Sequence, residues 1–173
     1  MSDADRAASL RRLFDESFAH APGVRAEAAE RILRLRIGGD GFAFRLAEVA
    51  GFSAARKIVP LPSAVPGALG LTGVRGALVP VYSLAVLLGR AADEEAPRWF
   101  VLASAPEPVA LAFARFDGYA EVARDELHAL GGAATDRHVT RVVRVEARHW
   151  GVVSIPSLME SIAASVIGTP KER

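Results

Sequence analysis

Gly70-Leu71-Thr72-Gly73-Val74-Arg75-Gly76-Ala77-Leu78-Val79-Pro80-Val81-Tyr82-Ser83-Leu84 is the stretch whose reading decides the fold. Val74, Val79, Val81 and Tyr82 in it favour strands, and its glycines and Pro80 do not suit a helix. Two short strands joined by a turn at Arg75-Gly76 fit it best, because glycine supplies the left-handed backbone that a tight turn demands. Ser83 then suits the N-cap of a short helix running to about Leu88. Arg75 is the only charged residue between Lys57 and Arg90. Such an arginine either snorkels to nearby carbonyls or anchors a contact with a partner. Upstream, Val59-Pro60-Leu61-Pro62-Ser63-Ala64-Val65-Pro66-Gly67 holds too many prolines for a helix or central strand and reads as an extended loop.

The same grammar extends in both directions. Leu33, Leu35 and Ile37 alternate with Arg34 and Arg36, Gly38-Gly39-Asp40-Gly41 turns the chain, and Phe42, Phe44 and Leu46 resume the alternation. That is a β-hairpin, with Val49 to Phe52 continuing its sheet. Downstream, strands are expected at Trp99 to Ala103, Val109 to Phe113, His138 to Val145 and Trp150 to Ile155, with a helical turn at Asp125 to Leu130. Pro156 opens a last helix carrying Leu158, Met159, Ile162 and Val166 on one face. Both halves end alike, an apolar strand followed by a Ser- or Pro-capped helix (Val79 to Leu88, Val152 to Ile162), which suggests a duplication. At the other end Leu10, Leu13, Phe14 and Phe18 form one apolar helical stripe, which either packs on its own domain or docks a partner.

With many short strands and no alternation of strands with long helices, the class is all-β, built as two small antiparallel barrels with an N-terminal and a short C-terminal helix. The expected layout is an N-terminal helix and linker at 1–30, a domain at 31–168 split into barrels at 31–90 and 91–168, and a tail at 169–173.

Composition narrows the chemistry. The 173 residues include no cysteine, which removes disulfide frameworks, thiol nucleophiles and cysteine metal sites. Twenty-one basic against 20 acidic side chains leave a net charge of +1, unlike a non-specific nucleic-acid binder. Neither a signal peptide nor a run long enough to span a bilayer is visible, so the chain reads as soluble. His20, His128, His138 and His149 lack ligand spacing, and no nucleophile elbow or Walker loop occurs, so no metal, cofactor or enzymatic activity is expected. Gly67, Gly70, Gly73 and Gly76 mimic a phosphate loop, but the strand–loop–helix frame and its lysine are missing. Arg137, Arg141, Arg144 and Arg148 would suit a nucleic-acid-binding barrel only if they shared a face. The three-residue step from Arg141 to Arg144 puts those two on opposite faces of a strand.

The Gly70–Leu84 stretch resembles the G-[LV]-x-N-x-R-G-x-[VI]-x-P-[VI]-x-D-L signature of CheW-like domains. These occur in the adaptors of bacterial chemosensory arrays and in the regulatory domain of their histidine kinase, CheA. Leu33-Arg34-Leu35-Arg36-Ile37-Gly38-Gly39 with Phe42-Ala43-Phe44-Arg45-Leu46-Ala47-Glu48-Val49 is similar to the family's first hairpin. Pro60 to Pro66 stands where its proline loop stands, and Val152-Val153-Ser154-Ile155-Pro156-Ser157-Leu158-Met159 resembles its closing strand and helix. The likeness spans about residues 31 to 163. It departs at Gly73 (usually Asn), at Ser83 (usually Asp), at Ala110 and Ala114 (usually Gly and Asp), and at Gly51 (often acidic).

The resemblance implies two SH3-like five-stranded barrels and a non-enzymatic coupler without cofactors. Its implied partners are the regulatory domain of a CheA-type kinase, the cytoplasmic tip of a chemoreceptor and other CheW-like domains. The implied location is the cytoplasm, at the inner membrane face within receptor arrays, without membrane insertion. By position, Val49 and Arg75 become partner contacts, while Gly70, Gly76 and Pro80 shape the backbone of that surface. The departures leave room for a specialised or inhibitory adaptor that binds a single partner, for instance in pilus motility. A nucleic-acid-binding small barrel is the alternative outside the family.

Overall fold

The computed structural model describes residues 29–91, 95–130 and 138–167. The apolar stripe of Leu10, Leu13, Phe14 and Phe18, the tail at 169–173 and Arg137 lie outside them. Eleven strands and two helices follow in the described residues: β1 (Ala29–Ile37), β2 (Asp40–Arg45), β3 (Val49–Ala54), β4 (Ala68–Val74), β5 (Ala77–Ser83), α1 (Leu84–Leu87), β6 (Trp99–Ala103), β7 (Ala110–Phe113), β8 (Arg115–Ala123), β9 (His128–Ala129), β10 (Val139–Val145), β11 (Arg148–Val153) and α2 (Ile155–Ile167).

The chain is mostly β, as its alternating pattern requires. The strands form a six-stranded sheet in the order β8-β1-β2-β11-β10-β9 and a five-stranded sheet in the order β3-β6-β7-β5-β4. Local expectations hold well. Gly38 and Gly39 take positive φ between β1 and β2, Arg75 and Gly76 do so between β4 and β5, and Ser83 Oγ accepts the Val86 amide of α1. Val49 to Phe52 does not extend the first hairpin's sheet, because β3 pairs with β6 in the other one.

The strands do not sort at residue 90 either. Each half of the sequence runs hairpin, single strand, hairpin, helix, and each gives its first hairpin to the other half's sheet. β1 and β2 join β8 and β11, and β6 and β7 join β3 and β5. The two exchanges are sealed by the two parallel pairings, β2 with β11 and β5 with β7. Both sheets therefore draw strands from either side of residue 90. Alternation fixes which face of a strand is apolar and is silent about its neighbour.

Three cores result. Leu33, Leu35 and Phe44 meet Tyr82, Leu111 and Phe113 between the sheets, with Leu158 of α2 against them. Each sheet also curls around a smaller core of its own: Ile32, Val143 and Trp150 in one, Val79, Val81 and Phe100 in the other. Both faces of β1 are consequently covered, and Arg34 is buried with its guanidinium 5.2 Å from the Trp150 ring centroid. Neither ladder closes on itself. In the five-stranded sheet, however, the chain after β3 crosses to the far edge, where Val59 exchanges two backbone hydrogen bonds with Leu71 of β4, at 2.8 and 2.9 Å.

Candidate protein-binding surface

The β4–β5 hairpin is held by contacts that make its residue types necessary. Gly70 has φ +136°, and a Cβ there would lie 2.1 Å from the Val59 carbonyl oxygen. Only glycine lets the crossing segment approach so closely. Buried Thr72 donates its hydroxyl to the Lys57 carbonyl, 3.1 Å away, and fixes the same segment. Leu71 commits both backbone groups to Val59, so its pairing with Pro80 is of the non-hydrogen-bonded kind. Proline is tolerated in β5 for that reason, since β7 begins only opposite Val81.

The hairpin thus projects beyond its neighbours. Ala77 to Pro80 precede the first residue paired with β7, and the sheet face that carries buried Tyr82 continues outward without cover. Leu78 is 73% exposed there, and Val59 and Leu61 of the crossing segment are about half exposed. Leu61, Pro62, Leu71, Pro80 and Tyr82 line a shallow apolar groove of about 200 Å³. Arg75 caps the tip in left-handed backbone with φ +49°. It is exposed and has no hydrogen-bond or ion-pair partner among the described residues.

Val49 begins β3 opposite Ala103, whose amide bonds to the Val109 carbonyl, so it lies level with the start of β7. Register therefore places Val49 and Arg75 toward the same end of the sheet, on strands at opposite sides of it. Val49 is half-buried against the shared core. The residue before it is a junction that sequence reading missed. Glu48 accepts the Ile155 amide of α2 at 2.9 Å and hydrogen-bonds Arg45, while its carbonyl accepts the Ser104 amide. Arg45 lies 4.0 Å from Glu30, which is 3.6 Å from Arg124. A helix N-terminus, with its unsatisfied amides, is a natural seat for that carboxylate.

No group of metal-binding side chains occurs among the described residues. His138 is buried and shares a 2.9 Å hydrogen bond with Ser157, a packing role. Arg141 and Arg144 do not join a common basic face: they alternate on β10 as the three-residue step requires. Among the described residues no helix is long and apolar enough to cross a membrane. The site can offer apolar area, one free cation and a fixed backbone, which is the equipment of a protein interface.

A family model described as CheW-like domain matches residues 31–163. The crystal structure of the scaffolding protein TtCheW from Thermoanaerobacter tengcongensis superimposes with a TM-score of 0.66. That match, at 12% sequence identity, covers 72% of this chain and 88% of TtCheW. No curated protein matches at a significant level.

Proposed function

The chain belongs to the CheW-like domain family, and from that premise we propose that it is a non-enzymatic adaptor of a chemosensory pathway. It joins the cytoplasmic tip of a chemoreceptor to the regulatory domain of a CheA-type kinase, in cytoplasmic arrays at the inner membrane face where other CheW-like domains are neighbours. Each curled sheet with its own core is taken as one SH3-like half of a domain spanning 31–168. The carrying observation is the uncovered apolar flank of the β4–β5 hairpin, with a single unpartnered arginine at its tip. Apolar area supplies affinity there and one fixed charge supplies register.

Three departures from the family signature, Ser83, Ala110 and Ala114, are compatible with this reading. Ser83 caps α1 as an aspartate would. Ala110 and Ala114 are buried, so their changes do not alter an exposed surface.

Titration against the regulatory domain of the CheA-type kinase from the same cell tests the assignment, with saturable one-to-one binding expected. In the matching receptor titration, Arg75→Ala should weaken association by ~1–3 kcal/mol without loss of fold. Wild-type affinity in that variant would remove Arg75 from the interface. Absence of kinase binding at tens of micromolar by folded protein would overturn the adaptor reading.

A further inference from the structure

The six-stranded sheet carries a cluster of cations that the β4–β5 hairpin does not use. Ile32 and Trp150 belong to that sheet's own core. Side chains alternate along a strand, so Arg34 and Arg36 share the Ile32 face of β1, and Arg148 shares the Trp150 face of β11. Arg36 pairs with Gly41 of β2, and Gly41 lies level with Trp150 because Phe42 pairs with Gly151. A Cβ at Gly41 would stand 2.9 Å from the indole. Glycine there lets the ring lie close over β2, with the Arg34 guanidinium 5.2 Å from its centroid. Three arginines distant in sequence thus gather around one tryptophan.

Their partners are unequal. Arg34 is buried and donates to the Glu146 carboxylate at 3.3 Å, although that glutamate is 78% exposed. Arg36 donates to Asp117 at 2.6 and 2.7 Å. Arg148 is exposed and has no hydrogen-bond or ion-pair partner among the described residues. Two more donors, Arg34 Nε and Trp150 Nε1, are buried without an acceptor among the described residues. Arg36, Gly41, Arg148 and Trp150 line a depression of about 260 Å³. Asp40 on its rim is matched by Arg90 at 3.5 Å.

We propose that this depression is a carboxylate-binding site, which seats an aspartate or glutamate side chain of an acidic peptide segment between Arg148 and Arg36. Charge selects that ligand. Arg34, Arg36 and Arg148 against Asp117 and Glu146 leave one positive charge uncompensated. One carboxylate neutralises it, whereas a phosphate, with a charge of about −2, overshoots. Shape excludes a nucleotide: Trp150 is 2% exposed, so no aromatic face is offered for a base to stack on. The chain itself already sets a carboxylate on Arg34, that of Glu146 in the β10–β11 turn, and leaves Arg148 unpaired two residues further on. The guanidinium fork suits a carboxylate through paired, charge-assisted hydrogen bonds.

Titration of the full chain with hexaglutamate at low salt tests this, read at the Trp150 indole N–H and at the Gly41 and Arg148 amides. Those resonances should shift and saturate together while the Val79 and Val81 amides stay in place. Arg148→Ala should weaken binding about tenfold, the worth of one charge-assisted hydrogen bond. Glu146→Gln should tighten it about threefold, because a like charge beside the seat is removed. Arg56→Ala, which removes an exposed arginine of the segment after β3, should leave it unchanged. Equal losses in the Arg148 and Arg56 variants would reduce the effect to general charge attraction and overturn the site. Inorganic phosphate that shifts the same resonances at lower concentration than hexaglutamate would overturn the peptide assignment in favour of a free anion. No kinase or receptor enters the titration, so its outcome is separable from the adaptor reading.

Discussion

Arg75 combines two properties that pull in opposite directions. Its side chain is free in solvent, while its backbone sits in the left-handed region, which costs a non-glycine residue about 1–2 kcal/mol. Glycine would relieve that strain and return roughly 0.4–1 kcal/mol through the greater freedom of the unfolded chain. Arg75→Gly should therefore leave stability within about 1 kcal/mol of the wild type or raise it, and urea unfolding measures this. Arg75→Val should lose about 1–3 kcal/mol, since a β-branched residue resists that conformation. Partner binding should fall in both. If binding is lost only in the valine variant, the turn's shape matters and the guanidinium does not. The sequence showed the turn through Gly76, and it isolated Arg75 by charge. The strain was invisible, because the companion of a turn glycine can be any residue.

Glu48 belongs to the scale of elements, since it ties together three of them. Its carboxylate meets the first amide of α2, its carbonyl meets the end of β6, and the next residue starts β3. Glu48→Ala should cost about 1–3 kcal/mol by orphaning the Ile155 amide, while Arg45 keeps Glu30 as its partner. Hydrogen exchange should accelerate at Ile155 and in the first turn of α2 while the Val143 and Trp150 amides keep their protection. Uniform acceleration across both sheets would mean that Glu48 supports the whole fold instead of one junction. Nothing local announces this role: Glu48 and Ile155 are far apart in sequence, and a glutamate after two apolar residues reads as a solvated side chain. The β10–β11 turn was equally hidden. Glu146 and Ala147 take positive φ without any glycine or asparagine to signal it.

At the scale of the whole molecule the exchanged hairpins govern stability. The described residues up to 90 hold two strands of one sheet and three of the other; the hairpins pair internally, but β1, β2, β3 and β5 each lack a neighbour that the other half supplies. Expressed alone, 1–90 and 91–173 should each lack a cooperative thermal transition, while an equimolar mixture should regain β-sheet circular dichroism. A cooperative transition in either half alone would show that its strands can re-pair within one repeat. Tyr82 reports on the shared core, where burial raises its phenol above the ordinary value. Both folded and unfolded states keep this proton below about pH 10. Above it the unfolded chain ionises first and binds fewer protons, so stability falls as pH rises. Tyr82→Phe should lose less stability between pH 9 and pH 11 than the wild type in paired denaturant titrations. Equal losses would place the hydroxyl in water.

Most strands, the tight turns and the Ser83 cap were legible because each depends on a few neighbouring residues: an alternation of period two, a glycine, a capping oxygen. β8 escaped because Gly118 and its mixed small and charged residues blur that alternation. Only the tertiary structure decided which sheet each hairpin joins, which faces stay uncovered and which carboxylate meets α2. Those are contacts between residues distant along the chain. Their free energy depends on how much apolar surface one arrangement buries relative to another, and a strand's own sequence states only which of its faces must be buried.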